Sequence, residues 1–116
     1  MTTGDATAPE VEPGEGRALL DAGAALLDVR NADEWQAGHA PEAQFIPLPE
    51  LAARSDEVAR DRRIVVICRS GSRSERATVF LRAQGFDAVN LAGGMRAWAA
   101  TGLDVVSDDG TPGTVI

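Results

Sequence analysis

Apolar positions fall into short runs separated by polar, glycine-rich stretches. Ile64–Ile67 reads Ile-Val-Val-Ile, β-branched at every position with no polar residue interleaved. Such a run suits a strand covered on both faces, as in a parallel sheet. Ala25–Val29 (Ala-Leu-Leu-Asp-Val) and Ala88–Leu91 read as further strands, and Gln44–Ile46 as a short one ending at Pro47. Helical segments are expected between them. They are Gly16–Ala22, stopped by Gly23; a turn over Asp33–Ala37; Leu48–Arg54, with Pro49 in its first turn; Ser74–Gln84, closed by Gly85; and Gly94–Ala100, followed by Gly102. Strand and helix in alternation predict an α/β fold with a doubly wound parallel sheet. Ligands of such sheets bind beyond the carboxyl ends of the strands. Two places stand there: Asp28-Val29-Arg30, and Cys68 directly after Ile67.

The ends of the chain look different. Residues 1–9, rich in Thr, Gly, Asp and Pro, read as a flexible arm, and residues 107–116, with Asp-Asp-Gly and Pro-Gly, as a flexible tail. The domain is expected over 10–106, with no repeat or inner linker, and 116 residues suit one core. A formal net charge of -7 argues against nucleic acid and anionic membrane as partners, since both need a basic surface. No apolar run approaches the ~20 residues of a membrane span. The polar, acidic start has neither the basic nor the apolar region of a signal peptide. With a free thiol, that points to the cytoplasm. A monomer is expected.

Composition narrows the chemistry. Every basic residue is arginine, so a lysine Schiff base is excluded. One cysteine, Cys68, and one histidine, His39, rule out an internal disulfide, a Cys/His metal cluster and a thioredoxin-like pair. No cofactor or metal is implied.

What remains is concentrated in one segment, Ile67-Cys68-Arg69-Ser70-Gly71-Ser72-Arg73-Ser74-Glu75. It reads as strand end, tight loop and helix start. Ser72 and Glu75 have capping-box spacing, which places the helix N-terminus there. Gly71 lets the backbone turn so that successive N–H groups point at one spot. These donors and the helix dipole favour an anion above the loop. Arg69 and Arg73 add positive charge, and Ser70 and Ser72 contribute mainly backbone N–H groups. A thiol at this mouth is expected to ionise readily and act as a nucleophile. The donors that stabilise it also serve an anionic substrate. Asp28, Arg30 and Ser74 are expected behind the loop, bracing it. Trp35 and Trp98 read as packing residues, the Gly93-Gly94 pair as a turn and helix start.

These residues resemble the rhodanese family of sulfurtransferases. The likeness runs from about Val11 to Val106 and rests on Leu27-Asp28-Val29-Arg30, Gly38-His39-Ala40-Pro41, Cys68 to Ser74, and Gly93-Gly94-Met95-Arg96-Ala97-Trp98. It implies a rhodanese-like three-layer fold, with a central five-stranded parallel sheet flanked by helices. It also implies ping-pong transfer: Cys68 takes a sulfane sulfur from a small anionic donor such as thiosulfate, and a thiol or cyanide acceptor removes it. A protein donor or acceptor is compatible with the same site. The resemblance places His39 in a structural loop away from Cys68. Glu42 departs from the family, which often has glycine after Pro41.

Two other readings share these residues. A persulfide carrier or binding module serving partner proteins needs the same Cys68. A phosphatase or arsenate reductase also sets Cys and Arg on an anion loop, but with five residues between them. Here Cys68 and Arg73 enclose four, Arg69 to Ser72, and the tighter ring favours sulfur.

Overall fold

The computed structural model describes residues 8–116. Most of the N-terminal arm expected from the sequence, residues 1–7, therefore lies outside the described residues. The elements follow in the order β1 (Glu10–Val11), α1 (Pro13–Asp21), β2 (Ala25–Asp28), α2 (Ala32–Ala37), β3 (Gln44–Phe45), β4 (Ile64–Ile67), α3 (Ser72–Ala83), β5 (Ala88–Leu91) and α4 (Gly94–Ala100). The strands form one five-stranded sheet, all parallel, in the order β1-β5-β4-β2-β3. This is the sheet that the resemblance implies.

β4 sits in the middle because it can be buried on both sides. All four of its residues are buried, and alternate positions feed different layers. Ile64 and Val66 join Leu27, Leu81 and Phe86 on one face of the sheet. Val65 and Ile67 join Leu20, Leu91, Met95 and Trp98 on the other. Cys68 continues the alternation and packs with the first group.

Three local expectations change. The first helix starts earlier, at Pro13, whose missing N–H costs nothing in a first turn. The helical stretch expected over 48–54 is a 3-10 turn at Leu48–Glu50 followed by looser turns, with a second 3-10 turn at Ser55–Glu57. The capping box expected at Ser72 does not form. α3 begins one residue sooner, with Gly71 as its cap at φ 114°, and the Gly71 carbonyl accepts the first helical bond from Glu75 N–H at 3.0 Å.

After α4 the chain runs back across the end of α2. His39 and Val106 exchange both backbone bonds at 2.9 Å, and Thr114 N–H reaches the Ala37 carbonyl at 2.9 Å. The residues read as a tail are thus tied to the domain at this point. The two backbones meet at glycines: a Cβ at Gly38 would fall 2.5 Å from the Thr114 carbonyl. Glu42 pairs with Arg17 of α1. Among the described residues, no helix is long and apolar enough to cross a membrane.

Candidate active site

β4 delivers Cys68 to the carboxyl end of the sheet, and the chain then turns sharply into α3. Three of the loop's carbonyls are held by neighbouring groups. The Cys68 carbonyl accepts Met95 N–H at 2.7 Å, and the Arg69 carbonyl accepts Arg96 N–H at 3.0 Å. The Gly71 carbonyl accepts Asn90 Nδ2 at 3.1 Å and Ser74 Oγ at 3.2 Å. In a planar peptide the N–H points opposite its carbonyl. Three tethered carbonyls therefore fix three peptide planes, those that carry the N–H groups of Arg69, Ser70 and Ser72, and of these the Ser70 N–H acts on the sulfur.

The sulfur sits among these donors. Cys68 Sγ accepts Gly71 N–H at 3.1 Å and the Ser74 hydroxyl at 3.2 Å. Burial pushes the thiol up. The Ser74 hydroxyl and the N–H groups of Ser74, Gly71 and Ser70 outweigh it, and the thiol ends below its ordinary value. The residue is only 1% exposed. Burial here accompanies stabilisation of the anion, which an inert core thiol lacks.

The expected site residues divide into groups. Cys68, Gly71 and Ser74 meet at the sulfur, with Ser74 making a direct bond where only a supporting place behind the loop was expected. Ser70 and Ser72 stand exposed at the rim. Arg73 gives both terminal nitrogens to Glu34, at 2.7 and 2.8 Å. Arg69 turns aside, its Nε donating to the Ile116 carbonyl at 2.7 Å. Asp28 and Arg30 form a fully buried pair joined by bonds of 2.8–3.1 Å, and Arg30 also reaches the Gly38 carbonyl at 2.7 Å. That pair fastens the end of β2 to the turn after α2 and does not touch Cys68. His39 stacks on Trp35, with ring centroids 3.6 Å apart, and its Nδ1 bonds the Trp35 carbonyl.

Three residues at this site escaped the sequence reading of the loop. Glu34 holds Arg73. Asn90 is buried on β5 and holds the Gly71 carbonyl. Gly94, read only as a helix start, permits the loop to lie against α4. Its φ is 59°, and a Cβ there would fall 2.5 Å from the Cys68 carbonyl and 2.6 Å from that of Arg69. The Gly-Gly pair was the one visible signal; Glu34 and Asn90 act across sequence separations that leave none.

Comparison with known proteins agrees with this geometry. Residues 12–101 match the family model described as a rhodanese-like domain. A sulfurtransferase of Allochromatium vinosum is 41% identical over 86 residues, which are 73% of this chain and 80% of that protein. The thiosulfate sulfurtransferase GlpE of Pseudomonas savastanoi is 34% identical over 78% of this chain and 87% of its own. The crystal structure of a rhodanese-related protein from Thermoplasma volcanium superposes with a TM-score of 0.80 at 31% identity, covering 84% of this chain and 97% of that one.

Proposed function

Since the chain belongs to the family of rhodanese-like domains and is a transferase of the rhodanese type, we propose that it moves a sulfane sulfur from a small donor such as thiosulfate to a cyanide or thiol acceptor through a persulfide on Cys68. The observation that carries this reading is the sulfur itself, held at 3.1 and 3.2 Å by Gly71 N–H and the Ser74 hydroxyl beneath an inward-turned loop.

The Cys68 thiol gives its proton to water. The thiolate attacks the outer sulfur of thiosulfate, a bond forms between the two sulfurs, and the donor's S–S bond breaks with its electron pair leaving on sulfite. Cys68 now carries a persulfide, whose negative charge falls among the N–H groups of the loop. The acceptor then attacks the outer persulfide sulfur. The second S–S bond breaks, its electron pair returns to Cys68 as thiolate, and thiocyanate or a new persulfide departs. Ser70, Gly71 and Ser72 meet the donor's charge with backbone N–H groups, while Arg69 and Arg73 supply the positive field around the loop.

Intact-protein mass after brief thiosulfate treatment tests this. The wild type should gain one sulfur atom that cyanide removes, and Cys68→Ser should gain none while keeping its fold by circular dichroism. Retention of the gain in Cys68→Ser would remove Cys68 from the reaction.

A further inference from the structure

The carboxylate of Glu34 grips the Arg73 guanidinium through two parallel bonds of 2.7 and 2.8 Å, the geometry that best fixes an arginine. We propose that Glu34 is a positioning residue for the sulfur site: it fastens the charge of Arg73, the residue directly before the Ser74 that bonds Cys68 Sγ, so that the thiolate and its persulfide face a fixed cation rather than a mobile one. The inference rests on reading Cys68 as the sulfur-carrying thiolate and names what tunes it.

Four observations point the same way. First, Glu34 comes from α2, 39 residues before Arg73, and is itself buried at 8% exposure. A carboxylate is not left there without a partner. Second, Glu34 is held in turn. The Asn31 N–H donates to its Oε1 at 3.0 Å, which pins the carboxylate to the start of α2. Third, Arg73 sits in the first turn of α3, with its side chain 26% exposed. A long side chain at such a rim samples many rotamers unless something holds it. Fourth, the signs alternate toward the sulfur. Asp28 is paired to Arg30, Arg30 acts on Glu34, Glu34 is clamped to Arg73, and the charge of Cys68 favours the Arg73 guanidinium.

The charged groups around this end of the sheet are Asp28 at the end of β2, Arg30 just after it, Glu34 from α2, Arg69 in the loop, Arg73 and Glu75 in the first turn of α3, and Arg96 of α4, whose N–H meets the Arg69 carbonyl. The Asn90 amide bridges Glu10 of β1 and the Gly71 carbonyl. Arg69 is turned toward Ile116, so of the two loop arginines Arg73 is the one held by a side chain of the sheet's helices. Freed of Glu34, it gains solvent and loses its post.

The test is the pH dependence of Cys68 alkylation by iodoacetamide, measured on the full chain as wild type, Glu34→Ala, Arg73→Ala and the double alanine variant. Glu34→Ala should move the midpoint upward and cut the acid-limb rate about three- to tenfold, the span of one partly exposed opposite charge. Arg73→Ala should do the same, and the double variant should go no further, since both substitutions remove one positioned charge. A charge swap, Glu34→Arg with Arg73→Glu, should regain melting temperature through the restored pair yet raise the midpoint beyond either single variant. An unmoved midpoint in Glu34→Ala overturns the proposal, and so does a lowered one, since loss of the carboxylate's own negative charge acts in that direction. So does a swap that returns the midpoint to the wild-type value, because the pair would then matter only as a brace. Alkylation reads the thiolate without requiring transfer. A chain that alkylates as predicted but never takes up sulfur contradicts the proposed function and leaves the role of Glu34 standing.

Discussion

Ser74→Ala tests the site at a single bond. The Ser74 hydroxyl has one hydrogen and two acceptors in reach, Cys68 Sγ and the Gly71 carbonyl, both at 3.2 Å. When Cys68 is ionised, the thiolate is the stronger acceptor and takes it. A hydrogen bond to a charged group contributes about 1.5–3 kcal/mol, so its loss raises the thiol's pKa by roughly one to two at 1.36 kcal/mol each. Below the midpoint the thiolate fraction falls about ten- to hundredfold. Intrinsic nucleophilicity rises with pKa, with a coefficient of about 0.4–0.5 in sulfur exchange. The net slowing on the acid side is therefore about three- to twelvefold, while the alkaline plateau rises by roughly three- to eightfold. The two curves cross, which a change in reagent access alone cannot produce, since that scales both limbs by the same factor. The assay is the rate of Cys68 modification by methyl methanethiosulfonate, a slim sulfur electrophile, followed by mass across pH. Ser74 is buried, but its deletion removes one oxygen and about 1 kcal/mol of bonding to Gly71, so the fold should survive. A midpoint identical to wild type would refute the idea that this hydroxyl supports the thiolate.

Two further perturbations probe the surroundings of the loop. Gly94→Ala places a Cβ within 2.6 Å of backbone atoms of Cys68 and Arg69 and asks a side-chain residue to adopt φ 59°. The conformation alone costs about 1–2 kcal/mol, and the rigid clash adds to it, so a melting temperature lower by about 5–15 °C is expected, with loss of cyanide-removable sulfur uptake; an unchanged melt would show that the approach of α4 to the loop is slack. The Arg73 hydrogen bonds hold Glu34 at about 2 against an ordinary 4.5, with burial opposing them and the Asn31 N–H assisting. A depressed folded-state value means stability that is full above the unfolded value and is lost as pH falls from about 4.5 toward 2, so urea unfolding at pH 3 should find the wild type weaker than at pH 7 by about 2 kcal/mol on this account, and Arg73→Ala should lack that share of the pH dependence.

The sequence made the middle of the fold legible and left its edges obscure, for a physical reason. β4 declares itself because Ile64–Ile67 are buried on both sides and therefore uniformly apolar. β1 is two residues, Glu10 and Val11, and its pairing is set by β5 rather than by its own character. It was reached only through the resemblance. The Ser72 capping signal failed by one position, because Gly71 at φ 114° supplied the cap first and left Ser74, not Ser72, to reach the sulfur. The Cys68 loop was readable because strand end, glycine and helix start are adjacent in the chain. Glu34, Asn90 and Gly94 were not, because each acts through a contact that exists only after the sheet has assembled.

That division assigns the chemistry to two different parts of the molecule. The loop supplies the sulfur and the donors, but the aim of those donors is decided elsewhere. Met95 and Arg96 N–H groups and the Asn90 amide hold three of its carbonyls, and with them the planes of three of its peptides. Dipoles fixed this way need no reorientation when a negative charge develops, which is what gives them force in a site shielded from water. Even the place of the Arg73 charge follows from the scaffold, since a carboxylate on α2 holds it. A short loop with Cys68 and its arginines transplanted onto another strand–helix junction would therefore keep the sequence and lose the aim. The thiol would return toward its ordinary ionisation, with burial then acting against it rather than alongside its donors.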